Sequence, residues 1–176
     1  MEDAFGALLK ATADRKLPPV GLWHPQRVGD IDIRIDADGR WFHEGTEIKR
    51  QRLVELFATV LRRDPDGYCL VTPAEKLRIH VEDAPFIAID MEFDGEGRER
   101  RLVLATNVGD HVLVDAAHPI TVHDNKGEPR PYVEVRDGLR ALIARSVFYR
   151  LVDLGEVRNG CVEVWSCGTR FVLGDV

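Results

Sequence analysis

Gly29–Trp41 reads GDIDIRIDADGRW. The stretch holds four aspartates and closes on Asp-x-Asp-Gly, the beginnings of a calcium loop. It also alternates apolar and polar residues. An EF-hand loop needs an oxygen ligand at its first position, glycine at the sixth and a bidentate glutamate at the twelfth. With Gly39 as the sixth, the first is Arg34 and the twelfth is Gly45. A cation stands where the first ligand belongs, and the closing carboxylate is missing. The alternation is therefore read as a half-buried strand, with Ile31, Ile33 and Ile35 facing a core and Asp30, Asp32 and Arg34 facing away. Asp38-Gly39 predicts a two-residue type I′ turn, with Arg40 to His43 returning as the partner strand. That register pairs Asp36 with Trp41 and puts the indole on the polar face, where it lines a groove. A bulged three-residue turn sends Trp41 to the apolar face instead.

The whole chain has 176 residues, room for one domain or two small units sharing a core. Apolar residues make up 44% and charged residues 31%, an ordinary globular balance. The net charge of −6 disfavours non-specific binding to nucleic acid. Cys69, Cys161 and Cys167 form neither a disulfide framework nor a zinc-type pair, and most are expected to be buried and inert. The first nineteen residues, acidic at the start and without an apolar core, do not read as a secretory signal. No apolar run approaches membrane-spanning length. The expectation is a cytoplasmic protein with no cofactor and no metal.

Further along, Phe5, Leu8 and Leu9 predict a short helix that ends at Leu17-Pro18-Pro19. Leu53, Leu56, Phe57, Val60 and Leu61 predict a second, capped by Thr46 and closed by RRDPDG, Arg62 to Gly67. Strands are expected at Tyr68–Val71, Leu77–Val81, Phe86–Phe93, Arg101–Thr106, His111–Val114, Ile120–Val122, Tyr132–Val135, Cys161–Trp165 and Arg170–Leu173. Leu139, Leu142, Ile143, Val147 and Leu151 predict a third helix. RQRLVELFATVL, Arg50 to Leu61, can be laid on RDGLRALIARSV, Arg136 to Val147, and each is followed by a glycine and two strands. This suggests a duplicated hairpin–helix–hairpin unit. The expected fold is α+β: an N-terminal helix and proline linker over 1–19, then repeat units over 20–83 and 84–176, each a small antiparallel sheet covered by a helix. A groove between the repeats is the expected binding place.

The run from Pro18 to Phe86, PPVGLWHPQRVGDIDIRIDADGRWFHEGTEIKRQRLVELFATVLRRDPDGYCLVTPAEKLRIHVEDAPF, resembles the bacterial domain-of-unknown-function family 1285. So do TNVGD, RPYVEVRDGLRALIARSVFYRLVDLG and the closing WSCGTRFVLG. The resemblance implies a duplicated α+β fold whose second half is loosely similar to pleckstrin-homology-type folds. It implies no established catalysis, only a suggested binding role in signalling, and no catalytic residues to carry over.

Three functions follow from the residues. The first is a regulatory or signalling module that holds a protein or small-molecule ligand with Trp23, Asp30, Asp32, Arg34, Trp41, Arg63, Lys76, Glu82, Asp83 and Asn107. The second is a metal-assisted or carboxylate-dependent hydrolase using Asp30 or Asp32 with His80, since paired carboxylates in different environments can divide acid and base roles. Cys161, Ser166 and Cys167 are weaker nucleophile candidates because no oxyanion signature accompanies them. The histidines His80, His111, His118 and His123 lack metal-ligand spacing. The third is a nucleic-acid binder using Arg62-Arg63 and Arg98, Arg100 and Arg101 beside aromatic rings. Asp64, Asp66, Glu96 and Glu99 stand close enough in sequence to neutralise those arginines.

Overall fold

In the computed structural model, which describes residues 4–176, β1 (Arg27–Ile35) runs antiparallel to β2 (Trp41–His43). The turn joining them differs from the one that Asp38-Gly39 suggests. Asp36 N–H donates to the Arg40 carbonyl at 2.9 Å, so a three-residue loop spans 37–39, and of the pair only Gly39 takes a positive φ. The Asp36 carboxylate is the cause. It accepts the backbone N–H groups of Asp38 (3.0 Å) and Arg40 (2.9 Å), and the Arg40 Nε–H at 2.8 Å. An aspartate bonded to the backbone two residues on holds a wider turn in place of a tight one. Burial raises its carboxyl pKa, but the Arg40 and Asp38 donors outweigh burial and leave it below the ordinary carboxylate value.

The register becomes Ile35 opposite Trp41 and Arg34 opposite Phe42. Trp41 therefore joins Ile33 and Ile35 on the apolar face, which corrects its placement as a groove residue. It is 1% exposed, it stacks on Phe57 at 6.2 Å between ring centroids, and its Nε1–H meets no acceptor among the described residues.

The chain divides into two compact units, one of residues 16–85 with 137–139, the other of residues 1–15, 86–136 and 140–176. In the first, β3 (Thr46–Glu47) extends the meander of β1 and β2, α2 (Gln51–Thr59) follows, and β4 (Leu61–Asp64), β5 (Gly67–Val71) and β6 (Glu75–Val81) form a second meander. Thr46 is thus a strand residue and not a helix cap, and the Arg62-Arg63 pair lies on a strand and not at a helix end. Helix α2 buries Val54 and Ala58, and its Phe57 meets Trp41, so its apolar stripe covers the isoleucine face.

The second unit opens with α1 (Ala4–Asp14), which packs on the strands β7 (Phe86–Asp94) and β9 (His111–Leu113) without fully burying any residue. Arg15 ties its end to Asp110, a 5%-exposed carboxylate that Arg136 also contacts, at 2.6 Å. With β8 (Arg101–Thr106), β7 and β9 form one meander, and β10 (Ile120–Asn125), β11 (Glu128–Arg136) and β12 (Leu139–Ile143) form another. Helix α3 (Arg145–Leu154) leads to a three-stranded sheet of β13 (Glu156–Arg158), β14 (Cys161–Ser166) and β15 (Thr169–Asp175).

A duplication exists, but not where the helix pattern put it. The strand order in the first sheet is β3-β2-β1-β6-β5-β4, and in the second β9-β8-β7-β12-β11-β10. Adding six to each number turns one into the other. In both, the first and last strands run parallel at the centre, β1 with β6 and β7 with β12. The proposed match of Arg50–Leu61 to Arg136–Val147 fails, because Leu139–Ile143 is a strand whose alternate residues are buried. Its apolar positions fit both periods over so short a run. The deciding signal is Asp137-Gly138 just before it, where both residues take positive φ, as a type I′ turn requires. Glu44-Gly45, Lys126-Gly127, Asn159-Gly160 and Cys167-Gly168 make the same kind of turn. No helix among the described residues is long and apolar enough to cross a membrane.

The three-residue loop carries a direct test. Trp41→Ala should lower the free energy of unfolding by about 3–5 kcal/mol in urea titrations, as loss of a large buried aromatic does. A loss under about 1 kcal/mol would mean that the indole lies on the outer face after all.

Candidate functional site

The outer face of the first sheet collects most of the residues that the sequence singles out. In a parallel pair, residues in register share a face, and Asp30 stands beside Arg78, Val28 beside Lys76 and Arg34 beside His80. Arg78 grips both oxygens of Asp30, at 2.8 and 3.2 Å. Arg34 donates to Glu82 at 2.6 Å and lies 4.3 Å from the Phe42 ring centroid. The second Glu82 oxygen accepts the Ala37 N–H at 3.0 Å, which ties β6 to the loop after β1. Lys76 lies 2.8 Å from Asp64 and 2.9 Å from Asp66, and Arg62 holds Asp64 through two hydrogen bonds. The same Arg62 guanidinium donates to the carbonyls of Val20 and Trp23, each at 2.7 Å.

These contacts form one ladder from Asp30 through Arg78, Asp66, Lys76 and Asp64 to Arg62. Trp23 enters it through its backbone, not its ring. Arg63 lies at the edge, 5.6 Å from the Tyr68 ring centroid. Asp32 is exposed on β1 and Asp83 is half-buried after β6. Asn107 belongs to the other unit, where its side-chain oxygen accepts the Ile87 N–H at 2.9 Å and its own N–H returns to the Ile87 carbonyl. It clasps β7 to the end of β8.

The ladder's charges are used within it. Hydrogen bonding to Arg78 holds the Asp30 carboxyl below its ordinary value, so it remains an anion with both oxygens engaged. That geometry suits a structural ion pair better than a general acid. Hydrogen bonds from Arg62, opposed by burial and joined by Lys76, bring Asp64 down to about 2. The arginines proposed for nucleic acid are similarly occupied. Arg101 pairs with Asp94, Arg100 donates to the Leu154 carbonyl at 3.0 Å, and Arg98 lies 4.7 Å from the Trp165 ring centroid.

The candidate nucleophiles fare no better as a set. Ser166 is fully buried, donating to the Val114 carbonyl at 2.6 Å and accepting the Leu102 N–H at 2.9 Å. Of the three cysteines only Cys69 is buried; Cys161 is half-exposed and Cys167 sits exposed in a turn. Hydrogen bonding to Asp175 pushes the Cys161 thiol up, away from thiolate character. Among the described residues no three His, Cys, Asp or Glu side chains gather to hold a metal ion.

A concave site lies elsewhere, within the second unit. A cleft of about 610 Å³ opens between the β10–β11 hairpin, α3 and the β14–β15 hairpin. Its apolar walls come from Val122, Phe148, Val152, Val162, Val172 and Leu173, with Asp124 and Asp175 at the rim. His123 reaches the lining from β10, yet its ring meets Tyr132 edge-on at 5.5 Å, on the face opposite Val122 and Asp124. Gly155 lets α3 approach β14 so closely: a Cβ there would stand 2.7 Å from Val162 Cγ1 and 3.1 Å from the Glu163 carbonyl. The sequence does not reveal this cleft because its walls come from stretches that read as a short strand with the loop after it, a helix and two further separate strands. Lys126-Gly127, a hairpin turn inside the presumed loop from His123 to Pro131, is the signal that could have drawn β10 and β11 together.

Comparison with known proteins agrees with this architecture. Residues 18–84 match the family model described as domain of unknown function (DUF1285), N-terminal domain, and residues 85–173 match protein of unknown function (DUF1285), C-terminal domain. The crystal structure of a DUF1285 family protein from Silicibacter pomeroyi DSS-3 is similar over 100% of this chain and 97% of its own, at 45% identity and a TM-score of 0.87. One from Shewanella baltica OS155 is similar over 70% of this chain and 92% of its own, at 28% identity and a TM-score of 0.56. No curated protein matches the chain.

The ladder predicts an acid limb of stability. A carboxyl with a lowered folded pKa contributes stability that is complete above its unfolded value, 3.8, and fades as pH falls toward about 2. Asp64→Asn should remove roughly 1 kcal/mol at neutral pH, the upper range for a solvent-screened pair. Urea midpoints measured from pH 5 to pH 2 should therefore converge between variant and wild type at the acid end. A constant gap across that range would refute the assignment.

Proposed function

The chain belongs to the DUF1285 family, and we propose that it is a regulatory binding module whose ligand site is the cleft of its second unit. The observation that carries this reading is the cleft itself: six apolar side chains from four elements around about 610 Å³, with two polar groups at the rim. Small-ligand sites have this character, a concave apolar volume of roughly 300–1,000 Å³ with few polar groups to orient the ligand. Val172 is 43% exposed in its wall, an open approach from solvent. The six-stranded sheet, α3 and the three-stranded sheet that surround the cleft also support reading this half as loosely pleckstrin-homology-like.

The ladder on the first sheet serves this module as a rigid scaffold, since each of its charges meets a neighbour within 4 Å. A hydrolase built on Asp30 and His80 draws no comparable support.

The test uses the full chain and 1-octanol as a neutral apolar probe, followed by methyl chemical shifts in NMR. The eight-carbon chain should bind with a dissociation constant on the order of 0.1–1 mM, after association costs offset most of the gain from apolar burial. Shifts should concentrate on Val122, Val152, Val162, Val172 and Leu173. Val172→Trp, which narrows the cleft from its exposed wall, should weaken binding about ten-fold with the fold intact. Shifts scattered over the surface, or none, would end this reading.

A further inference from the structure

We propose that the cleft selects cationic amphiphiles: small molecules with an apolar body and a protonated amine. The inference rests on the cleft being a ligand site and adds the charge of the ligand. Several carboxylates elsewhere are paired with arginine or lysine, as at Asp30, Asp64, Asp94 and Asp110. The two at the cleft are not. Among the described residues its lining contains Asp124 and Asp175 and neither lysine nor arginine, and neither carboxylate takes part in an ion pair.

Each carboxylate is oriented without being neutralised. One Asp124 oxygen accepts the Gly127 N–H at 2.8 Å, a neutral donor that fixes the side chain across the hairpin turn. One Asp175 oxygen lies 3.3 Å from the Cys161 sulfur, whose thiol donates to it across the β14–β15 pair. Each contact engages one oxygen and leaves the other for a further donor. Beneath them the walls are apolar, from Phe148, 8% exposed, to Leu173, 1% exposed. An alkyl or aryl body fills the floor, and an ammonium at its end meets the two rim carboxylates. An anionic headgroup of the same length meets repulsion at the same place.

The experiment compares octylamine, 1-octanol and octanoate at pH 7 and low salt on the full chain, by methyl chemical shifts. Octylamine should bind about five-fold more tightly than octanol, the gain expected of a partly exposed ion pair, and octanoate more weakly than either. The amine's advantage should shrink on raising salt to 0.5 M. Asp124→Asn and Asp175→Asn keep an oxygen acceptor for Gly127 and Cys161 while removing charge. Within the double variant, octylamine should bind no more than two-fold better than octanol. If octanol binds in the cleft but octylamine gains nothing over it, or keeps its advantage in the folded double variant, the charge selection is wrong and the ligand site stands. If no probe binds, both fail together.

Discussion

Each six-stranded sheet depends on one constraint, the parallel pairing of its first and last strands. Two antiparallel meanders of three strands are each marginal alone, since so small a sheet cannot cover its apolar face. Joining β1 to β6 and β7 to β12 makes one continuous ladder of each sheet. Ile33, Ile35 and Val71 in one sheet, and Phe86, Ala88 and Ala141 in the other, are all at or below 3% exposure. A parallel pair requires a long crossover, and the whole of the intervening chain supplies it. That is why the unit repeats as six strands and not as a hairpin with a helix.

Within this frame a single carboxylate sets the use of both faces of the first sheet. Asp36 widens the turn by one residue, and side-chain direction inverts with every residue of register. The same step that sends Trp41 to Phe57 turns Phe42 outward beneath Arg34. The outer face then becomes a row of ion pairs over strands, with Cys69 beneath it, buried and raised in pKa by that burial. Exposed pairs of this kind contribute little one by one. Their shared members, Asp66 between Lys76 and Arg78 and Asp64 between Arg62 and Lys76, link β1, β4 and β6 into a stiff surface.

The two units use their carboxylates differently. The first joins Asp30, Asp64 and Asp66 in one ladder with Arg62, Lys76 and Arg78. The second leaves two carboxylates unneutralised around an apolar hollow, and closes that hollow with α3 held tightly against β14 at Gly155.

Much of the architecture is present in local sequence. Ile33 and Ile35 of β1 and the strand at Arg101–Thr106 read correctly, because each depends on side-chain period alone, whereas α2 buries Val54 and Ala58 and leaves Leu56 exposed, with Leu61 on β4, unlike the stripe its spacing predicts. The glycine pairs mark the hairpins because positive φ is a local steric matter. Nine of the ten proposed site residues lie in one unit, and Asp30, Arg34, Lys76 and Glu82 do share a face or a network, as their alternation implies. What local sequence could not decide was competition between partners. Asp36 chose backbone donors over a tight turn, Leu139–Ile143 chose a strand because β7 lay ready to pair with it, and Arg78 and Arg98 found a carboxylate and a ring distant in the chain, while Arg62 met Asp64, the neighbour its sequence offers. The cleft belongs to the same class: its walls are separated by up to fifty residues and meet only when two hairpins and a helix pack, since a cavity is a property of packed surfaces and has no signature in any one of them.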